Sequence, residues 1–144
     1  WYMSVKDKVA DWYNMETGEA LCCYKILHQL NQKYPRKPTN WKAVFRFIGT
    51  LAQQLREKGV FNMLLSDGQY LMAFSSTKLH WITRRAPFGK AKLLDQDIEI
   101  DFQQCTTPSD IVSVIATAPL TGNETWQKIE PGEFVLFDRG QRIL

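Results

Sequence analysis

The sequence predicts an α+β fold in which two helices precede a largely antiparallel set of strands. The first observation is a change in the spacing of apolar residues at Gly59, from about 3.6 residues to about 2. The second is the order of the elements, because helices and strands are segregated along the chain instead of alternating. The third is size, since 144 residues with 44% hydrophobic content suffice for one core. We therefore expect residues 1–144 to form a single domain.

Two amphipathic helices are predicted, over residues 17–34 and 41–58. Thr17 is the candidate N-cap of the first helix, and Pro35 ends it. Asn40 is the N-cap of the second, and Gly59 occupies its C′ position. The apolar stripes are Cys23, Ile26, Leu27, Leu30 and Tyr34 in the first helix, and Val44, Ile48, Leu51, Ala52 and Leu55 in the second. Because the charges lie on the opposite faces, we expect both helices to pack on an antiparallel sheet.

After Gly59 the sequence alternates apolar and polar residues, as half-buried strands do. Asp67-Gly68 predicts a tight hairpin whose two central residues have positive φ. Glu130-Pro131-Gly132 predicts the turn that joins the last pair of strands as a hairpin, and Arg139-Gly140 predicts a further tight turn. The predicted strands cover residues 60–66, 69–76, 78–84, 97–102, 110–119, 126–129 and 133–139.

Composition argues against several classes of partner. A net charge of +3, with acids scattered among the bases, predicts no nucleic-acid binding. No stretch approaches the roughly 20 apolar residues that cross a bilayer, so we expect no membrane partner. The three cysteines are an odd set in which Cys22 and Cys23 are adjacent, and Cys105 is far away. This pattern does not resemble a secreted disulfide framework, and a reducing cytoplasmic location is expected.

Candidate catalytic groups are sparse. His28 and His80 stand alone, and Ser75 and Ser76 lack the glycine context of a hydrolase elbow. The pair Arg84-Arg85 suits either an anion clamp or a solvated strand end, and we favour the solvated end. The acidic run over residues 95–101 has no EF-hand spacing, and no glycine-rich phosphate loop is present. We expect no metal and no cofactor.

Three segments carry a resemblance to a known family. They are "VFNMLLSDGQYLMAFSSTKLHWITRRAPFG", "LLDQDIEIDF" and "VIATAPLTGNETWQKIEPGEFVLF". Together they closely resemble the second half of a class II glutamine amidotransferase of the small stand-alone bacterial kind. The resemblance covers residues 16 to 144, whereas residues 1–15 diverge.

The resemblance implies part of an N-terminal-nucleophile fold, with helical layers outside two antiparallel sheets (αββα). It also implies the family's reaction, hydrolysis of the glutamine side-chain amide to glutamate and ammonia, with glutamine as the substrate. The nucleophile in that family is an N-terminal cysteine whose α-amine is the base. An Asn-Gly pair forms the oxyanion hole, and an arginine and an acidic residue hold the amino-acid end of the substrate.

The chain departs from this pattern at the catalytic positions. Its first residue is Trp1, and no His-Asn-Gly run precedes the first helix. The family's run Glu-Thr-Asp-Ser-Glu aligns with Glu16, Thr17, Gly18, Glu19 and Ala20. Glu16 and Thr17 are therefore the only substrate-binding positions carried over, and no catalytic residue is. We expect the chain to be inactive alone, either as the C-terminal part of a longer amidotransferase or as a truncated relative.

The alternative function is a non-catalytic binding or interaction module that uses the retained sheet. Strands such as "FNMLLS" and "YLMAF" are strongly apolar, and their edges would be uncovered without the family's first half. For this reason the sequence also predicts a homo-oligomer.

Overall fold

A computed structural model describes residues 18–95, 98–102 and 107–144, with side chains described from residue 22 onward. The chain divides into two compact units, Trp1–Phe61 and Asn62–Leu144. The described helices all lie in the first unit and the described strands all lie in the second. Neither described helix has the length and apolarity needed to span a bilayer.

The first unit contains α1, Gly18–Lys33, and α2, Trp41–Arg56. Both lie where the apolar stripes predicted them. The Asn40 side chain accepts a hydrogen bond from the Ala43 N–H at 3.2 Å, which confirms it as the N-cap of α2. Gly59 is not the left-handed C′ residue that we expected. The helix ends at Arg56 and continues into a short turn, in which the Gly59 N–H donates to the Arg56 carbonyl at 3.2 Å.

The apolar face of α2 is buried as predicted, whereas that of α1 is buried in part. The two helices contact each other. At their contact, the rings of Tyr34 and Phe47 meet edge to face with centroids 6.1 Å apart. Lys33 Nζ lies 4.0 Å from the Phe47 ring centroid, within cation–π range. The buried apolar residues of the pair are Ile26, Leu30, Val44, Phe45, Ile48, Leu51, Ala52 and Leu55.

The second unit contains two antiparallel sheets and one two-stranded hairpin. One sheet has the strand order β1-β2-β8-β9, the other has the order β6-β3-β7, and the hairpin pairs β4 with β5. The strands are β1 Met63–Ser66, β2 Tyr70–Phe74, β3 Leu79–Arg85, β4 Lys90–Lys92, β5 Glu99–Asp101, β6 Ile111–Ala116, β7 Gln127–Ile129, β8 Phe134–Asp138 and β9 Gln141–Arg142. The α+β class and the antiparallel sheets are thus as predicted, while the single-domain assignment stays a prediction. The expected hairpin between residues 126–129 and 133–139 is wrong, because β7 pairs with β3 and β8 pairs with β2.

The hairpin turns show where glycine is needed. In the β1–β2 turn only Gly68 has a positive φ, at 91°. The register places Gly68 and Gln69 at the two central positions of the turn. The expectation that Asp67 and Gly68 both have positive φ is therefore wrong. Glycine at the first central position is the requirement of a type II′ turn. The paired positive φ values occur instead at Arg139 and Gly140, at 46° and 73°, between β8 and β9. That two-residue turn extends the first sheet by a strand that we did not predict.

A hydrophobic core joins the two sheets of the second unit. The Trp81 ring of β3 meets the Phe137 ring of β8 edge to face, with centroids 5.4 Å apart. Around this contact lie residues of both sheets: Ala73, Leu79, Ile129 and Val135, with Leu71 and Ile115 at the margin. Because side chains alternate between the faces of a strand, the neighbours of Trp81 on β3 point to the other face of their sheet. That other face carries the loop that precedes β7.

Candidate functional site

A salt bridge attaches the loop before β7 to β3. Arg84 Nε and Nη2 donate to Glu124 Oε1 and Oε2 at 2.7 and 2.6 Å. The two side chains are only 16% and 18% exposed, so water screens the pair poorly. Two parallel hydrogen bonds fix the orientation of both planar groups as well as their separation. The pair therefore holds the loop from Thr121 to Trp126 in one position on this sheet.

Further contacts complete the network around the salt bridge. Buried Thr121 donates its hydroxyl to Glu124 Oε2 at 2.6 Å and accepts a hydrogen bond from Trp126 Nε1 at 2.9 Å. On the other side, the Arg84 guanidinium carbon lies 5.0 Å from the Phe102 ring centroid. The polar groups that the loop brings into this partly buried place are thus satisfied by one another, as burial demands.

The electrostatics of Glu124 follow from these contacts. The hydrogen bonds from Arg84 lower the pKa of its carboxyl group, burial opposes that effect, and the hydrogen bond from Thr121 lowers the pKa further. The net result is a pKa below the ordinary 4.5. Glu124 is therefore ionised at neutral pH and is not a candidate for a general acid there.

Asn123 connects the same loop to β4. Its Oδ1 accepts from the Lys92 N–H and its Nδ2 donates to the Lys90 carbonyl, each at 2.8 Å. The Gly122 N–H donates to the Lys92 carbonyl at 3.0 Å. The Asn123 amide thus takes the place of a strand neighbour on the edge of β4 that does not pair with β5, and it helps to hold this three-residue strand. The sequence "GNET" contains a glycosylation pattern, but both polar atoms of this side chain are engaged within the protein.

The two predicted substrate-binding residues, Glu16 and Thr17, lie outside the described residues. The description begins at Gly18, the first residue of α1. The sequence resemblance, which the structure does not test at this position, aligns Gly18 with the family's aspartate. A glycine has no side chain with which to bind the ammonium group of an amino acid.

The remaining candidates form no catalytic pair in the described part of the chain. His80 Nδ1 lies 3.3 Å from the carbonyl oxygen of Thr117, and His28 Nε2 lies 3.0 Å from Gln32 Nε2. Neither ring is hydrogen bonded to a hydroxyl or thiol there. The buried Ser75 hydroxyl has no hydrogen-bond partner, and hence no contact with a base, among the described residues.

Of the acidic run over residues 95–101, the described members Asp95, Glu99 and Asp101 are exposed. Glu99 Oε1 pairs with Lys90 Nζ at 2.8 Å, and both side chains are more than half exposed. Among the described residues, which do not include positions 96 and 97, no group of three metal-ligating side chains is gathered. The expectation of no metal stays a prediction.

The interpretation of Arg84 as part of a solvated strand end was wrong, while Arg85 is exposed as that interpretation requires. Their side chains point to opposite faces of β3, which separates their environments. The partner of Arg84 is 40 positions away, so local spacing did not indicate it. The available signal was within the loop, where Thr121, Glu124 and Trp126 are spaced closely enough to hydrogen bond to one another.

Comparison with known proteins identifies the family of the chain. The family described as Glutamine amidotransferases class-II matches residues 13–144. The chain belongs to this family, which confirms the resemblance found in the sequence.

Individual relatives agree with the family. The chain is 56% identical over 154 aligned residues to "Putative glutamine amidotransferase YafJ" of Escherichia coli K12, covering 100% of this chain and 60% of that protein. It is 41% identical to the Haemophilus influenzae protein described in the same way, covering 88% of this chain and 42% of that one. The crystal structure of a predicted glutamine amidotransferase from Pseudomonas aeruginosa PA01 matches with a TM-score of 0.78 and 42% identity, covering 90% of this chain and 51% of that chain. The chain thus spans between 42% and 60% of the length of these three proteins.

Proposed function

We propose that this stretch of sequence supplies part of the folded scaffold of a class II glutamine amidotransferase but not the groups that hydrolyse glutamine. Family membership supports the scaffold and glutamine as the substrate class. Two features of the described residues support the second part of the proposal, that they do not supply the catalytic groups. Neither histidine of the described residues is hydrogen bonded to a nucleophile. Glu124, the carboxylate most enclosed by the loop, is fully engaged with Arg84 and Thr121.

Gly18 is the single observation that carries the proposal. A site for a free amino acid needs a negative group to balance the substrate's ammonium, and the resemblance assigns that role to the first turn of α1. Because Gly18 begins α1 without a side chain, this contact is lost. Removal of a charge-assisted hydrogen bond of this kind weakens binding by about 1.5 to 3 kcal/mol.

Titration of the isotopically labelled chain with L-glutamine tests the proposal. We expect no saturable change in the amide signals of the first turn of α1 at millimolar glutamine. D-glutamine, with the same composition and charge, is the matched control for nonspecific shifts. A saturable change with L-glutamine that D-glutamine does not produce would show that the amino-acid site is present.

An interaction role is the second candidate, and the edge of the first sheet favours it. β1 is an edge strand of that sheet, and Leu64 on it is 54% exposed. Edge strands with apolar residues template pairing with other chains. We propose on this ground that the chain self-associates. Sedimentation over a range of concentrations tests it, with a concentration-dependent mass expected and a single monomeric species as the contrary result.

A further inference from the structure

One side of β3 is only partly covered by its neighbour. β3 pairs with β6 from His80 to Arg85, but with β7 only over Leu79–Trp81. Within the described residues, no strand follows β7 along the rest of that side. Backbone N–H and C=O groups alternate between the two sides of an antiparallel strand, so the segment 82–85 directs some of them to the uncovered side.

A polar groove of about 230 Å³ lies beside this segment. Its walls come from β3, from the residues around the start of β7, and from β9. The polar side chains that line it are Thr83, Arg85, Thr125, Gln127, Gln141 and Arg142. All of them belong to the second unit, so the groove is formed within one compact body.

The groove carries an uncompensated positive charge. Arg142 Nη2 is paired with Glu133 at 2.7 Å, which neutralises that guanidinium. Arg85 Nη2 instead donates to the neutral Gln141 Oε1 at 3.0 Å, and in the described part of the chain no carboxylate contacts it. An exposed guanidinium that is not paired with an anion can bind a carboxylate through two parallel, charge-assisted hydrogen bonds.

The groove also offers unused hydrogen-bonding side chains. Thr125 and Gln127 are exposed and make no side-chain hydrogen bond to another described residue. They line the same groove as Arg85 and provide donors and acceptors for a second polar group of a ligand. An uncovered strand edge beside such walls is the arrangement to which extended peptides add as an extra strand.

We propose that this groove binds an extended acidic segment of a partner polypeptide, which pairs with β3 beyond Trp81 and places a carboxylate against Arg85. Main-chain hydrogen bonds to the segment 82–85 give the interaction its affinity. The charge of Arg85 selects acidic over neutral or basic segments. Side chains two positions apart on the added strand point to the same side of it. A segment with an acidic residue at every second position therefore suits the groove. This inference does not depend on whether the chain hydrolyses glutamine.

The probe is the blocked peptide acetyl-Thr-Glu-Val-Glu-Thr-amide, titrated into the labelled chain. We expect saturable shifts of the backbone amides at positions 82–85 and 141–142. The same peptide with glutamine in place of glutamate should bind about tenfold more weakly, because the charge-assisted hydrogen bonds are lost. Arg85→Gln should weaken binding of the acidic peptide to a similar degree, whereas Arg36→Gln, in the exposed loop between the helices, should leave it unchanged.

Several results would overturn the proposal. These are no binding at millimolar peptide, shifts confined to other parts of the chain, and equal affinity for the glutamate and glutamine peptides. Sodium acetate that produced the same shifts at the same concentration would show a site for small anions and no strand addition. The glutamine peptide keeps the test decisive even if Arg85→Gln fails to fold, since it requires no change in the protein.

Discussion

Arg84 and Glu124, which are 40 positions apart in the sequence, share two hydrogen bonds of 2.7 and 2.6 Å and are both largely buried. This pair holds the loop that precedes β7 against β3. Through Asn123 the same loop also holds β4. The salt bridge between Arg84 and Glu124 thus fixes the position of a loop that lies outside the paired strands.

Replacing Glu124 by glutamine should destabilise the fold. The change leaves the Arg84 guanidinium in a place with little access to water and without a counter-charge. We expect a loss of about 2 to 3 kcal/mol in the free energy of unfolding. Urea denaturation followed by far-ultraviolet circular dichroism measures it. Glu99→Gln is the matched control, because its partner Lys90 is exposed and the midpoint should not move. Equal midpoints for Glu124→Gln and the parent chain would contradict this account.

The contribution of Glu124 should depend on pH with a defined sign. The pKa of its carboxyl group is lowered on folding, so the folded protein binds this proton less readily than the unfolded chain does. Its contribution is therefore fully present above the ordinary pKa of 4.5 and is lost as the pH falls through the lower, folded value. Denaturation midpoints of the parent chain and of Glu124→Gln should differ at neutral pH and converge in strong acid. A difference that grew on acidification would have the wrong sign.

Replacement of three glycines by alanine should change the free energy of unfolding by amounts that follow a definite order. Gly140 has a φ of 73°, and a Cβ there would overlap the Ile111 carbonyl group, so Gly140→Ala should cost more than about 3 kcal/mol. Gly68 has a φ of 91° but open space around it, so Gly68→Ala should cost about 1 kcal/mol. Gly59 has neither constraint, so Gly59→Ala should be neutral or add up to about 1 kcal/mol. Thermal unfolding of the three variants gives the ranking, and a Gly59 variant less stable than the Gly140 variant would refute it.

Substitution of Asn123 should loosen β4 specifically. Asn123→Asp keeps the acceptor for the Lys92 N–H but loses the donor to the Lys90 carbonyl, whereas Asn123→Ala loses both. We expect faster amide exchange at Lys92 in both variants, with the larger change in Asn123→Ala, and a stability loss of about 1 kcal/mol for that variant. Hydrogen exchange followed by NMR resolves the effect. Unchanged exchange at Lys92 in Asn123→Ala would show that the Asn123 side chain does not hold β4, which would then depend on β5 and on the Gly122 N–H.

Much of the fold was predictable because burial imposes a period on the sequence. The stripe of α2 follows from one buried face, whereas the apolar runs of β2 and β8 follow from burial on both faces of the strand, with Met72–Phe74 and Val135–Phe137 buried in succession. The short strands were missed for a physical reason. Lys90–Lys92 places only Ala91 in a buried position, and β9 exists because the turn at Arg139 and Gly140 sets its register. Neither feature leaves a periodic signal in the sequence.

The candidate site was less predictable. Charged residues such as Arg84 are usually solvated, and only the fold reveals that a carboxylate lies opposite. The role of Asn123 depends likewise on a strand 31 residues earlier in the chain. The lack of an acidic side chain at Gly18, by contrast, could be predicted from the sequence, because the family pattern has an aspartate at the position with which Gly18 aligns.

Glutamine turnover by the purified chain tests the central claim most directly, namely that these residues form an amidotransferase scaffold without its chemistry. The chain is incubated with L-glutamine, and glutamate and ammonia are both measured, with and without a cysteine-directed alkylating reagent. The account predicts no glutamate above the rate in buffer, and no effect of the reagent. Stoichiometric release of glutamate and ammonia that alkylation abolishes would contradict it, since a cysteine of this chain would then be acting as the nucleophile.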